Sequence, residues 1–134
     1  MDYLLTLEGN TNFLIEEKPD HSLQLQNLLK EYADKIQKIY GNHLSQIILY
    51  GSYARGDYRD DSDIDIMILL DISDLEIKKY RHSLSDMTYD FNWDNGLNIK
   101  PIAVSEYHFN KWRDAYPFYN NVYQEGVCLY HAAR

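Results

Sequence analysis

The sequence has little cysteine and no long apolar run, and each shortage excludes a class of protein. Cys128 is the single cysteine among 134 residues, which excludes an internal disulfide and fits a reducing compartment. The longest apolar stretch, 64–70, is much shorter than the roughly 20 residues that cross a membrane as a helix. The N-terminus lacks the basic segment that precedes the apolar part of a secretory signal. We therefore expect a cytoplasmic protein that does not enter a membrane.

Positive charge is also scarce. Thirteen lysines and arginines stand against 21 aspartates and glutamates, which gives a formal net charge of −8. Proteins that grip DNA or RNA regardless of sequence neutralise phosphates with lysine and arginine. We therefore expect no stable binding of nucleic acid. A small phosphate compound remains a suitable ligand, because a bound metal ion supplies the missing positive charge.

The chain has no repeat, low-complexity tract or linker, so we predict one domain over 21–134 after an irregular segment, 1–20. Helical spacing of apolar residues predicts a first helix from a cap at Ser22 to a stop at Gly41. A second predicted helix, 74–89, has Leu75 on its inner side. The remaining predicted elements are strands 46–50, 64–70, 97–104 and 127–130, a short helix capped by Ser105, and a helix from Pro117 to Gly126. This order predicts an α+β or α/β fold with a small mixed sheet flanked by helices.

The segment 51–70 reads GSYARGDYRDDSDIDIMILL and begins with features of a phosphate site. Gly51 follows a predicted buried strand and, without a Cβ, allows a ligand to approach the backbone closely. Ser52 adds a hydroxyl at the start of a predicted helical turn, where backbone N–H groups bind anions. Arg55 is a candidate for bidentate phosphate contact, although it could equally pair with the acidic residues of the loop that follows. The loop acids are Asp57, Asp60 and Asp61.

Two carboxylates follow in the same segment. Asp63 and Asp65 are two positions apart in a predicted strand, so both side chains lie on one face while Ile64 points to the opposite, buried face. Neighbouring carboxylates repel each other unless a cation neutralises them. Oxygen ligands of this kind suit Mg²⁺ or Mn²⁺, which takes substrate phosphates as further ligands. The pattern predicts a metal site at Asp63 and Asp65.

The joined pattern Gly51-Ser52, Arg55-Gly56, Ser62-Asp63 and Asp65 resembles the signature of the DNA polymerase β-like nucleotidyltransferase superfamily. The resemblance extends from about His21 onward, and the short length resembles that of the minimal nucleotidyltransferases. It implies that superfamily's fold, with Gly51, Ser52 and Arg55 binding a nucleoside triphosphate, ATP being the expected one. It also implies that Asp63 and Asp65 are catalytic and hold Mg²⁺ or Mn²⁺ while a nucleoside monophosphate, expected to be AMP, passes to a hydroxyl. In the minimal enzymes that hydroxyl can be a tyrosine of a HEPN-type toxin partner.

The sequence departs from this signature at one place. The superfamily usually carries a third carboxylate on the next strand, where this chain has Asn98 or Lys100. Asp90 and Asp94 lie earlier, and the sequence alone does not place them. This gap supports an alternative interpretation, in which the chain is a weak or inactive nucleotidyltransferase fold that binds and neutralises a protein partner.

Overall fold

A computed structural model describes residues 19–133 of the chain. Its helices are α1 (Pro19–Tyr40), α2 (Ser52–Arg55), α3 (Asp74–Ile77), α4 (Arg81–Asn95), α5 (Glu106–Trp112) and α6 (Pro117–Glu125), with 3-10 turns at Gly41–His43 and Lys78–Tyr80. Its strands are β1 (Leu44–Tyr50), β2 (Ile64–Leu70), β3 (Ile99–Ser105) and β4 (Val127–His131). The predicted α+β class is confirmed.

The four strands form one mixed sheet in the order β3-β2-β1-β4. Strand β1 runs antiparallel to both β2 and β4, whereas β2 and β3 are parallel. Strand β3 therefore lies at an edge of the sheet, which explains how it accommodates Pro101, a residue with no N–H to donate to a further strand. The β1–β2 connection is short, while the parallel β2–β3 crossover passes through α3 and α4.

Each face of the sheet packs against helices. One face carries Ile64, Ile66 and Ile68, which are buried under residues of α1 and α4. The other face carries Met67 and Leu69, which pack against residues of α5 and α6 such as Phe109 and Val122. Alternation along β2 therefore places Asp65 on the α5–α6 face, opposite the isoleucines, as the period of two predicts.

The first helix is longer at its start than the sequence predicts. It is already present at Pro19, the first described residue, three residues before the predicted cap at Ser22. Its end agrees with the prediction, since the helix stops at Tyr40 and Gly41 has a positive φ of 57°. The predicted irregular segment otherwise lies outside the described residues. No helix within 19–133 is long and apolar enough to cross a membrane.

The predicted helix 74–89 is wrong in its continuity and its end. The structure has the one-turn helix α3, a 3-10 turn and then α4, which continues to Asn95. Leu75, predicted to face inward, is instead 72% exposed. Helix α4 ends where Gly96 adopts a left-handed conformation, with φ 63° and ψ 35°.

Candidate functional site

A sharp turn at Gly51 joins β1 to the one-turn helix α2. Gly51 has φ 76° and ψ −154°, a conformation open essentially to glycine alone. Its backbone also lies directly against Asp65: a Cβ at this position would sit 3.3 Å from Asp65 Cγ and closer still to Oδ2. The backbone conformation therefore favours glycine strongly, a Cβ would in addition displace the Asp65 carboxylate, and the turn and the carboxylate lie in direct contact.

The loop between α2 and β2 is held by its own side chains. Tyr53 of α2 stacks on Tyr58, with ring centroids 4.2 Å apart and an angle of 9° between the planes. Ser62 closes the end of the loop, because its hydroxyl accepts a hydrogen bond from the Arg59 N–H at 2.8 Å. Ser52 is partly exposed at the start of α2, beside Gly51. These contacts fix the path of the chain between the predicted phosphate-binding residues and the two carboxylates.

Arg55 lies at the end of α2 and pairs with two acids. Its Nε is 3.3 Å from Asp57 Oδ2, and its Nη1 is 3.3 Å from Glu125 Oε1 at the end of α6. The hydrogen bond to Asp57, followed by the charges of both acids, raises the pKa of the guanidinium further. The positive charge of Arg55 also partly opposes the rise in the pKa of Asp65, which shows that this charge acts on the carboxylate site. A phosphate contact by Arg55 would compete with these two exposed ion pairs.

Asp63 immediately precedes β2 and receives two nitrogen donors. The Asn98 amide donates a hydrogen bond to Oδ1, and Lys100 Nζ lies 3.3 Å from Oδ2. Backbone pairing brings these residues together, because the Ile64 N–H donates to the Asn98 carbonyl at 2.9 Å and β2 runs parallel to β3. Asn98 and Lys100, the two candidate positions for a third carboxylate, therefore lie beside Asp63, and both present nitrogen donors to it.

Asp65 is the more enclosed of the two acids. Burial, followed by the negative charge of Asp63, raises the pKa of its carboxyl, while the charges of Lys100 and Arg55 lower it. Within residues 19–133, Asp65 takes part in no ion pair and no side-chain hydrogen bond. The folded chain thus disfavours the ionised form of Asp65, and a bound cation would relieve this cost.

Tyr50 belongs to the same surface, although the sequence reasoning missed it. It pairs with Asp65 across the antiparallel β1–β2 ladder, so both side chains share a face. Burial, and then the charge of Asp65, raise the pKa of Tyr50 to about 12, so its hydroxyl stays protonated at neutral pH. Phe118 of α6 meets the Tyr50 ring edge to face, with centroids 5.6 Å apart. Its position at the end of the predicted strand 46–50, next to Gly51, was the signal in the sequence that could have pointed to it.

The other candidates for the third carboxylate lie elsewhere. Asp90 and Asp94 line a groove with Glu31 and Lys35 between α1 and α4, on the opposite side of the sheet from Asp65. In the part of the chain that the structure describes, no three histidine, cysteine or acidic side chains are grouped to hold a metal ion. Asp63 and Asp65 alone fit one Mg²⁺ or Mn²⁺, which binds through one or two carboxylates and takes waters and phosphates as further ligands.

Comparison with known proteins identifies the class to which this site belongs. A family model for the nucleotidyltransferase domain matches residues 29–120, which is more than half of the chain and includes every predicted site residue. The chain therefore belongs to the nucleotidyltransferase family. The predicted family membership and the predicted enzyme class, nucleotidyltransferase, are confirmed.

Two relatives come from Methanocaldococcus jannaschii. "Putative protein adenylyltransferase MJ0604" is 37% identical over 102 residues, covering 76% of this chain and 94% of the relative. "Putative protein adenylyltransferase MJ1305" is 36% identical over 81 residues, covering 60% of this chain and 54% of the relative. The crystal structure of a "putative nucleotidyltransferase from Sulfolobus solfataricus" superposes with a TM-score of 0.55 at 23% identity, covering 81% of this chain and 82% of that one. This likeness supports the fold.

Proposed function

We propose that this chain transfers AMP from ATP to a hydroxyl group of a protein and releases pyrophosphate. The main support is the contact between the Gly51 turn and Asp65. This contact brings the Gly-Ser element and the carboxylate pair of the family signature into one site. The names of the two archaeal relatives describe protein adenylyltransferases, which supports AMP as the group and a protein as the acceptor. A tyrosine of a HEPN-type partner is the acceptor we propose.

In this proposal the residues divide into two groups. Gly51 and Ser52 bind the triphosphate, since the glycine lets the backbone approach and the serine offers a hydroxyl donor. Asp63 and Asp65 would hold Mg²⁺ or Mn²⁺, which when bound would neutralise phosphate charge and act as a Lewis acid on a phosphoryl oxygen. Arg55 assists the phosphates only if it leaves Asp57 or Glu125.

The test uses ATP labelled at the α-phosphate, with Mg²⁺ or Mn²⁺ and a lysate of the host. We expect label on a protein band with the unaltered chain and a loss of more than about 100-fold with Asp63→Ala/Asp65→Ala, because metal stabilisation contributes several kcal/mol. The matched control is Asp60→Ala/Asp61→Ala, which removes the same charge from the exposed loop. Equal labelling by both double variants, each shown to be folded by circular dichroism, would refute this assignment.

A second candidate function has one specific observation in its favour. Asn98 and Lys100 both engage Asp63 where the family usually has a third carboxylate, which favours a weakly active or inactive domain that neutralises a protein partner by covering it. Under this function, Asp63→Ala/Asp65→Ala leaves complex formation and neutralisation of the partner intact. A partner that is neutralised only by the unaltered chain with ATP would exclude it.

A further inference from the structure

The start of β3 supplies two nitrogen donors to Asp63. Asn98 donates to Oδ1 and Lys100 Nζ lies 3.3 Å from Oδ2, so both oxygens of this carboxylate are engaged. Lys100 also pairs with Asp65 in the parallel β2–β3 register, which puts its side chain on the same face as both acids. The Lys100 ammonium therefore lies beside both carboxylates: it pairs with Asp63, and its positive charge acts on Asp65.

Charge decides what such a site can hold. Asp63 and Asp65 contribute −2 and Lys100 contributes +1, so the three side chains together carry −1. A site with a third carboxylate in place of the lysine would carry −3, which suits two divalent ions about 3.5–4 Å apart. The Lys100 ammonium, in contact with one carboxylate, repels a second divalent ion at the same place, since like charges only a few Å apart interact strongly near a protein surface.

We propose that Lys100 is a built-in cation that limits the carboxylate pair to a single divalent ion. That ion is held by Asp65, whose carboxylate forms no ion pair within residues 19–133, and by Asp63, which Lys100 and Asn98 keep in place. The nucleotide part of this inference rests on the proposed function. The metal part is a property of the carboxylate pair and Lys100, and it holds with or without a nucleotide.

The test is a charge series at position 100, titrated with Mn²⁺ and followed by the electron paramagnetic resonance signal of the free ion. The variants are Lys100→Arg, Lys100→Gln and Lys100→Glu, of which Gln and Glu are matched in shape. Lys100 is 62% exposed on an edge strand, so the substitutions leave the core untouched, and thermal unfolding in EDTA checks this. The first series contains no nucleotide, and the second contains a non-hydrolysable ATP analogue.

Without nucleotide, we expect the unaltered chain and Lys100→Arg to bind Mn²⁺ most weakly, Lys100→Gln more tightly and Lys100→Glu most tightly. The affinity of Lys100→Glu should exceed that of the unaltered chain more than tenfold. With the analogue, the unaltered chain should bind one Mn²⁺ per complex and Lys100→Glu should bind two. Two ions in the unaltered complex, or equal affinities of the Gln variant and the unaltered chain, would overturn the inference. If the analogue fails to bind while the nucleotide-free order holds, the proposed function fails and the inference about Lys100 stands.

Discussion

Replacing Gly51 with alanine separates the two reasons for which the structure favours glycine at this turn. The backbone, at φ 76° and ψ −154°, lies in a region that costs a residue with a Cβ about 1–3 kcal/mol. The new Cβ would also press on the Asp65 carboxylate, 3.3 Å from Cγ and nearer to Oδ2. Asp65 is only partly buried, so its carboxylate can rotate away, and a displaced rotamer of this kind costs about 0.5–1.5 kcal/mol. We therefore expect Gly51→Ala to lower the free energy of unfolding by about 1.5–4.5 kcal/mol.

Gly96→Ala is the matched control. Gly96 also has a positive φ, 63°, but a Cβ there would meet nothing within 4 Å. Its expected cost is the left-handed backbone alone, about 1–2 kcal/mol. For a domain of this size each kcal/mol corresponds to roughly 3–5 °C in Tm, so thermal unfolding followed by circular dichroism resolves the two variants.

A double-mutant cycle with Asp65→Ala tests the contact itself. Removing the carboxylate removes the atoms that the new Cβ would strike, so Gly51→Ala should cost about 0.5–1.5 kcal/mol less in the Asp65→Ala background. The backbone cost remains in both backgrounds. If Gly51→Ala costs no more than Gly96→Ala, or if its cost does not depend on Asp65, the contact between turn and carboxylate inferred here is wrong.

Three further substitutions probe the charges and the core. Asp65→Asn should raise Tm at pH 7 without metal: the raised pKa means that stability is lost as pH rises through ionisation of Asp65, so the gain should vanish below about pH 4. Arg55→Ala should leave Tm nearly unchanged because its ion pairs with Asp57 and Glu125 are exposed, and a large rise in KM for ATP would then indicate phosphate contact; an unchanged KM would contradict it. Tyr32→Phe, which removes the buried 2.7 Å hydrogen bond to Thr88, should cost about 1–2 kcal/mol while leaving nucleotide affinity unchanged, as calorimetry would show.

The sequence predicts the elements whose signals are local. Strand β2 has the predicted bounds, 64–70, because a short apolar run rich in isoleucine and bounded by polar residues favours a buried strand over a helix. Ser105 caps α5 as predicted, its hydroxyl accepting the His108 N–H at 3.3 Å. Pro117 and Gly126 mark the two ends of α6 as predicted. Proline and glycine act through their own backbone preferences, which need no knowledge of the fold.

Features that depend on distant partners could not be predicted in this way. The sequence predicts a turn at Asp94-Asn95-Gly96, but Asp94 and Asn95 belong to α4. The Asn92 side chain holds the end of this helix against β3, since it exchanges hydrogen bonds with both backbone groups of Ile99 at 2.9 and 3.1 Å. The pairing of Arg55 with Glu125 joins residues 70 positions apart. The choice among the candidates for the third carboxylate position likewise required the parallel β2–β3 register, which periodicity does not give.

Because β3 lies at the edge of the sheet, the residues that shape this site and the residues that set its charge belong to different parts of the fold. Gly51 through Asp65 form one contiguous segment whose glycine turn and buried strand are tightly constrained by packing. The two nitrogen donors come instead from the exposed margin of a strand that is paired on one side only. Substitutions at these marginal positions alter the charge around the carboxylates at little cost to the core. One architecture could thus support sites of very different metal demand, each differing by a single solvent-facing side chain.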